Sequence, residues 1–90
     1  MNDVELAKIV AVLRDVTDER KRQHELWGVQ RLDWPVWIAV LTEETGESAE
    51  AALEAHFNPD KSLAHLREEL VQVAAVAVAI VEHIDEVSAS

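Results

Sequence analysis

An all-α fold, an antiparallel bundle of three long helices completed by oligomerisation, is what the sequence predicts. Three observations lead there. Apolar residues recur at alternating steps of three and four along most of the chain, which is the period of an amphipathic helix. Helix-stopping signals interrupt this pattern at Gly28 and at Asn58-Pro59. The run over 73–81 is apolar on every face, so it must be enclosed from several directions at once.

The first helix spans Asp3 to Trp27 on the stripe Leu6, Ile9, Leu13, Val16, Gln23 and Trp27. Gly28 ends it, because glycine reaches the left-handed backbone that helix ends favour, and 28–33 form a loop. Pro35 suits the first turn of a second helix, where its missing amide proton would be unpaired anyway, with Asp33 or Trp34 at the cap. That helix runs over 34–55. After the turn at Asn58-Pro59, Leu63, Leu66, Leu70, Val73, Ala77, Ile80 and Ile84 form a third stripe that ends near Val87 and leaves the terminal Ser-Ala-Ser frayed. Two neighbours from the same chain can hardly enclose every face of 73–81, so an equivalent helix of a second copy is expected against it, in a dimer or tetramer, ahead of the alternative of a central helix in a monomeric bundle. With no internal repeat or linker, 1–90 reads as one domain.

Ninety residues lie near the lower end of the domain range, where one core buries only about 60 to 65% of the unfolded surface. The absence of cysteine removes disulfides and thiolate zinc sites, and a cytoplasmic setting fits best. Asp3 and Glu5 do not match the layout of a secretory signal, and the nine residues of 73–81 fall short of the span a membrane needs, about 20. Eighteen acidic residues against eight basic ones give a formal charge of −10, which disfavours nucleic-acid partners. A nucleotide remains compatible where divalent cations bridge carboxylates to phosphates.

Carboxylates are where the pattern becomes informative. Glu43, Glu44, Glu47, Glu50 and Glu54 lie on the second helix, and such a series is ordinarily a solvated face. Glu44, however, continues the stripe of Trp37 and Leu41, followed by Ser48, Ala51 and Ala55, and Glu47 stands three residues on. Carboxylates facing inward are costly unless a metal ion offsets them. On the third helix Glu69 lies between Leu66 and Val73, with Gln72 three residues later. Each helix thus presents an oxygen pair at i and i+3, and facing pairs can converge on magnesium or manganese.

Trp27, Trp34 and Trp37 cluster around one loop. A nucleobase could stack there while Gln23 and Gln30 read its edge, although Trp37, on the stripe, is expected in the core. Arg20, Lys21 and Arg22 form the main basic cluster, and Arg22 and Lys61 are the candidates for phosphate contact. His24, His56, His65 and His83 show no metal-ligand spacing and are expected at the surface or rim.

Glu43-Glu44-Thr45-Gly46-Glu47, followed by Glu69-Leu70-Val71-Gln72, resembles the paired acidic motif of the all-α pyrophosphohydrolases of the MazG type, a superfamily that includes the dimeric dUTPases. The stretch from Glu19 to Gln30 is similar to the segment that precedes this motif in small MazG-like proteins. The resemblance implies magnesium ligands at Glu44, Glu47 and Glu69, with Gln72 standing where the family has aspartate. It further implies hydrolysis of nucleoside triphosphates to monophosphate and pyrophosphate; nucleotide-pool cleansing, phage-related nucleotide management and stress control are all roles open to such an activity. Either Glu43 or Glu47 would orient the attacking water. Gln72 favours the main alternative, a non-catalytic helical oligomerisation or interaction module; a nucleotide sensor that binds without hydrolysis is a third reading.

Overall fold

Local chemistry sets the ends of the helices in the computed structural model, which describes residues 1–89 as α1 (Asp3–Trp27), α2 (Trp34–Phe57) and α3 (Ala64–Ala89), with no strand among them. At the start of α1, Asn2 Oδ1 accepts a hydrogen bond from the Glu5 amide at 2.9 Å. Asp3 and Glu5 place negative charge against the positive end of the helix dipole. Gly28 closes α1, its amide donating to the His24 carbonyl at 2.8 Å.

The loop at 28–33 delivers the chain to Asp33, which occupies the cap position of α2 without a side-chain hydrogen bond, while Pro35 sits in the first turn. α2 continues to Phe57 rather than stopping at 55. Asn58 ends it by donating from both its amide and Nδ2 to the Glu54 carbonyl, each at 3.0 Å. α3 also outlasts its expected end near 87, so that Ser88 and Ala89 are helical instead of frayed. Ser90, the last residue of that expected frayed end, lies outside the described residues.

α3 is the element that packs on both others, and the backbones of α1 and α2 do not approach each other closely. Trp37 of α2 meets Val76 and Ile80 of α3 in the buried core, with Leu32, Val40, Leu41 and Ala79 packed around them. Trp37 Nε1 donates to His83 Nδ1 at 2.9 Å, which supplies the partner that a buried indole N–H needs. His83 is therefore buried, against the surface position expected for it.

The core also reassigns part of the apolar run over 73–81. Val76, within the run expected to pack against another copy, is buried within its own chain, whereas Val78 and Val81 are exposed. Along α1 the apolar stripe forms but is mostly uncovered: Val16 and Gln23 are the buried residues, and Leu6, Ile9 and Leu13 are open to solvent. Asp15 to Arg67 at 2.5 Å and Arg20 to Glu82 at 2.7 Å tie α1 to α3 beyond that open stretch. The result is elongated, 50 × 34 × 23 Å with a radius of gyration of 15.2 Å, where about 12 Å is usual for this length.

Gly28 has φ 67° and ψ −161°, a region essentially reserved for glycine, and a Cβ there would meet nothing within 4 Å. The penalty for a side chain is thus one of backbone strain alone. Gly28→Ala is expected to lower stability by about 1–3 kcal/mol, read as a lower urea midpoint with an unchanged m-value.

Candidate metal centre and adjoining recess

Trp37, Leu41, Glu44, Ser48 and Ala51 follow one another at steps of four and three along α2. Trp37, Ser48 and Ala51 are buried and Leu41 is half-buried, so Glu44 sits within the packed seam instead of on an outer face. Glu47, nearly one turn further on, is exposed beside that seam. On α3, Glu69 belongs to the stripe that continues through Val76, Ile80 and His83. It is half-buried, with its side chain 12% accessible.

The apolar packing between α2 and α3 brings these carboxylates together. One oxygen each from Glu44, Glu47 and Glu69 lies within 4.8 Å of the other two. Oxygens around magnesium stand about 2.1 Å from the ion, hence about 3 Å from neighbouring ligands and about 4.2 Å from an opposite one. Small side-chain adjustments would bring the three into that range. Glu44 Oε2 and Glu69 Oε2 are buried and lack any hydrogen-bond partner. Orphaned acceptors of this kind are expensive, and an all-oxygen donor set suits a hard divalent cation. The residues present fit magnesium or manganese.

Electrostatics tell the same story. Burial, then the charges of Glu47, Glu69, Glu43 and Glu19, raise the Glu44 carboxyl above the ordinary glutamate value. Burial and the neighbouring Glu47 likewise raise Glu69, opposed in part by His65, whose Nε2 lies 3.7 Å from Glu69 Oε1. Glu43 is exposed and acts on Glu44 through its charge. Gln72 is half-buried, and its main-chain carbonyl accepts from Gln23 Nε2 of α1 at 3.5 Å.

Sequence reasoning missed Glu19. Its carboxylate stands near enough to Glu44 to raise it, and it accepts from Arg22 Nε and Nη2, both at 2.7 Å, and from Gln23 Nε2 at 3.0 Å. The Arg22 fork holds Glu19 below the usual carboxylate range. The spacing of Glu19, Arg22 and Gln23 at i, i+3 and i+4 was the available signal. Arg22 is thereby positioned beside the carboxylates, and the charge of Glu44 acts on it.

Gln23 also lines a recess of about 230 Å³ at the corner between α1 and α2, together with the sequence candidates Trp27 and Gln30. This is somewhat below the usual range for drug-sized ligands and suits one small planar group. Trp34 does not line it but packs on the His83 ring, with centroids 4.6 Å apart. Lys61 is paired with Glu54 at 3.4 Å and shares a shallow surface depression with His65. The structure thus gathers Glu44, Glu47 and Glu69 at one point and Gln23, Trp27 and Gln30 at another, and leaves Trp34 and Lys61 outside both.

No helix among the described residues is long and apolar enough to cross a membrane. Comparison of the chain with protein-family models, curated proteins and solved structures gave no match.

The raised Glu44 and Glu69 fix the sign of a pH effect. A carboxyl whose pKa is higher in the folded state than in the unfolded one favours folding when both states are protonated, and that contribution is lost as pH rises through the folded pKa. Without metal, Glu44→Gln should therefore raise the Tm near neutral pH by a few degrees. The gap to wild type should close as pH falls to the ordinary glutamate value. Thermal melts in chelator from pH 7 to pH 4 check this.

Proposed function

We propose that this chain is a cytoplasmic, magnesium-dependent nucleoside triphosphate pyrophosphohydrolase that works as a homo-oligomer. The observation that carries the reading is the convergence of Glu44, Glu47 and Glu69 with two orphaned oxygens; Gln23, which lines the recess, bonds Glu19, whose charge acts on Glu44. It is also the reading that the acidic motif implies by resemblance.

Glu44 and Glu69 would hold the cation, which relieves the repulsion that raises both. When bound, magnesium supplies charge neutralisation for phosphate oxygens and a more acidic water. Glu47, exposed at the edge of the cluster, or Glu43 accepts the proton of the attacking water. The water oxygen bonds to the α-phosphorus as the bond to the α–β bridging oxygen breaks, and pyrophosphate leaves. The choice of phosphorus comes from the resemblance alone. Arg22, held by Glu19 beside the cluster, is available to the phosphates, and Trp27, Gln23 and Gln30 would receive the base.

Surface area supports the oligomer. A compact monomer of 10.1 kDa exposes about 5,300 Å², whereas this chain exposes 6647 Å². The excess, roughly 1,300 Å², falls within what each partner loses in an obligate homodimer, about 1,000–2,500 Å². Leu6, Ile9 and Leu13 of α1 and Val78 and Val81 of α3 supply apolar surface for it. A second copy laid there would complete the expected antiparallel bundle.

Pyrophosphate release from a panel of ribo- and deoxynucleoside triphosphates should appear in magnesium and vanish in chelator. Glu47→Gln should lower kcat by at least about 100-fold, the scale of a lost general base, with its helical circular dichroism unchanged. Glu54→Gln, which removes only an exposed ion pair, should stay near wild type. No product from any nucleotide in magnesium overturns the catalytic reading.

Light scattering should give a dimer or tetramer mass at micromolar concentration. Val81→Glu, a change outside the intrachain core, should shift that mass toward the monomer. A wild-type monomer with cooperative unfolding would sink the oligomer.

A further inference from the structure

The inner wall of the recess carries a group that the reaction above does not use. His83 lines the recess and is buried, 9% exposed. Its Nδ1 accepts the indole N–H of Trp37 at 2.9 Å. A neutral imidazole has one donor and one acceptor nitrogen, so this bond assigns the proton to Nε2. Trp37 is itself 3% exposed, and its N–H has nowhere else to go. The tautomer is therefore enforced by the core, while Trp34 covers the ring at a 43° tilt.

Nε2 makes none of the hydrogen bonds found among the described residues, and it is not among the fully buried atoms that lack a partner. Since His83 lines the recess, a group seated there is the partner available to this N–H. Several of the neighbouring polar groups are engaged, while His24 and Gln30 also line the recess. Gln23 Nε2 is turned to Glu19 at 3.0 Å, and at the rim Arg20 pairs with Glu82 at 2.7 Å and Arg31 with Glu86 at 2.6 Å.

We propose that His83, held as the Nε2–H tautomer by Trp37, determines specificity in this recess by selecting a planar ring whose edge presents a carbonyl oxygen over the same ring with an amino group there. A carbonyl accepts the Nε2 proton. An amino group would set donor against donor in a buried site and leave both unpaired, which is where hydrogen-bond discrimination is greatest. The inference rests on the recess as the base subsite of the proposed hydrolase, but its test uses nucleosides, which carry no phosphate.

Nitrogen-resolved NMR of the histidine-labelled protein should show His83 protonated at Nε2 and bare at Nδ1, and uridine should shift that Nε2–H resonance. By titration, uridine should bind about tenfold or more tightly than cytidine, and inosine more tightly than adenosine, as expected for one buried hydrogen bond set against an unpaired donor. His83→Phe should erase both preferences. The tautomer measurement needs no variant and so stands even if that substitution unfolds the chain. An Nδ1–H tautomer, an equal or reversed preference in either pair, or an Nε2–H resonance that moves with protein concentration and not with uridine would overturn the proposal. A chain that binds nucleosides with these preferences but hydrolyses no nucleotide supports it while sinking the hydrolase reading; hydrolysis without base preference does the opposite.

Discussion

The Trp37 indole, closed in by Val76 and Ile80 and tied at Nε1 to His83, decides how α2 lies on α3. A sliding error of one turn, about 5.4 Å, would break that hydrogen bond and strand a buried donor and a buried acceptor. The same register places Glu44 and Glu47, about 10 and 15 Å further along α2, against Glu69. The geometry of the acidic cluster is thus inherited from an apolar contact that contains none of its residues. α1 then adds to this pair from one side, supplying Glu19, Arg22 and Gln23 to the neighbourhood of the carboxylates and Trp27 to the recess.

Placing three carboxylates together works against folding, and the chain is already strongly acidic. Two features contain the conflict. Apolar and small residues on the seam, Trp37, Ser48 and Ala51 on α2 with Ala75 and Val76 on α3, are buried and favour folding whatever the charge state. Arg22 brings positive charge to the margin of the cluster at Glu19, and His65 stands beside Glu69. The remaining repulsion is what a divalent cation would relieve, so metal affinity and stability without metal trade against each other at Glu44 and Glu69.

Helix number and most helix ends were legible in the sequence, because periodicity, Gly28 and Asn58-Pro59 are local signals. That Glu44 and Glu69 lie on the apolar stripes was legible too, since the phase of a carboxylate on a stripe is a local property, whereas Glu47 is exposed beside the seam. What escaped was set by partners. His83 read as a rim residue because the histidine spacing showed no metal site, whereas its burial follows from the need of the Trp37 indole for an acceptor across the helix pair. Glu19 escaped because its closeness to Glu44 depends on how α1 crosses α3. The apolar stripe of α1 was read correctly as helical, but periodicity alone does not say whether an apolar face is covered by its own chain, and Leu6, Ile9 and Leu13 are not.

All three tryptophans lie at the corner where α1 leads into α2, and two of them touch the His83 ring. The intrinsic fluorescence of this protein is therefore a local signal. It follows the Trp37–His83 contact and the mouth of the recess, and is silent about the first turns of α1. Emission and helical circular dichroism consequently sample different parts of the molecule, and any lag between them during unfolding would separate the loosening of the corner from the loss of the exposed arm.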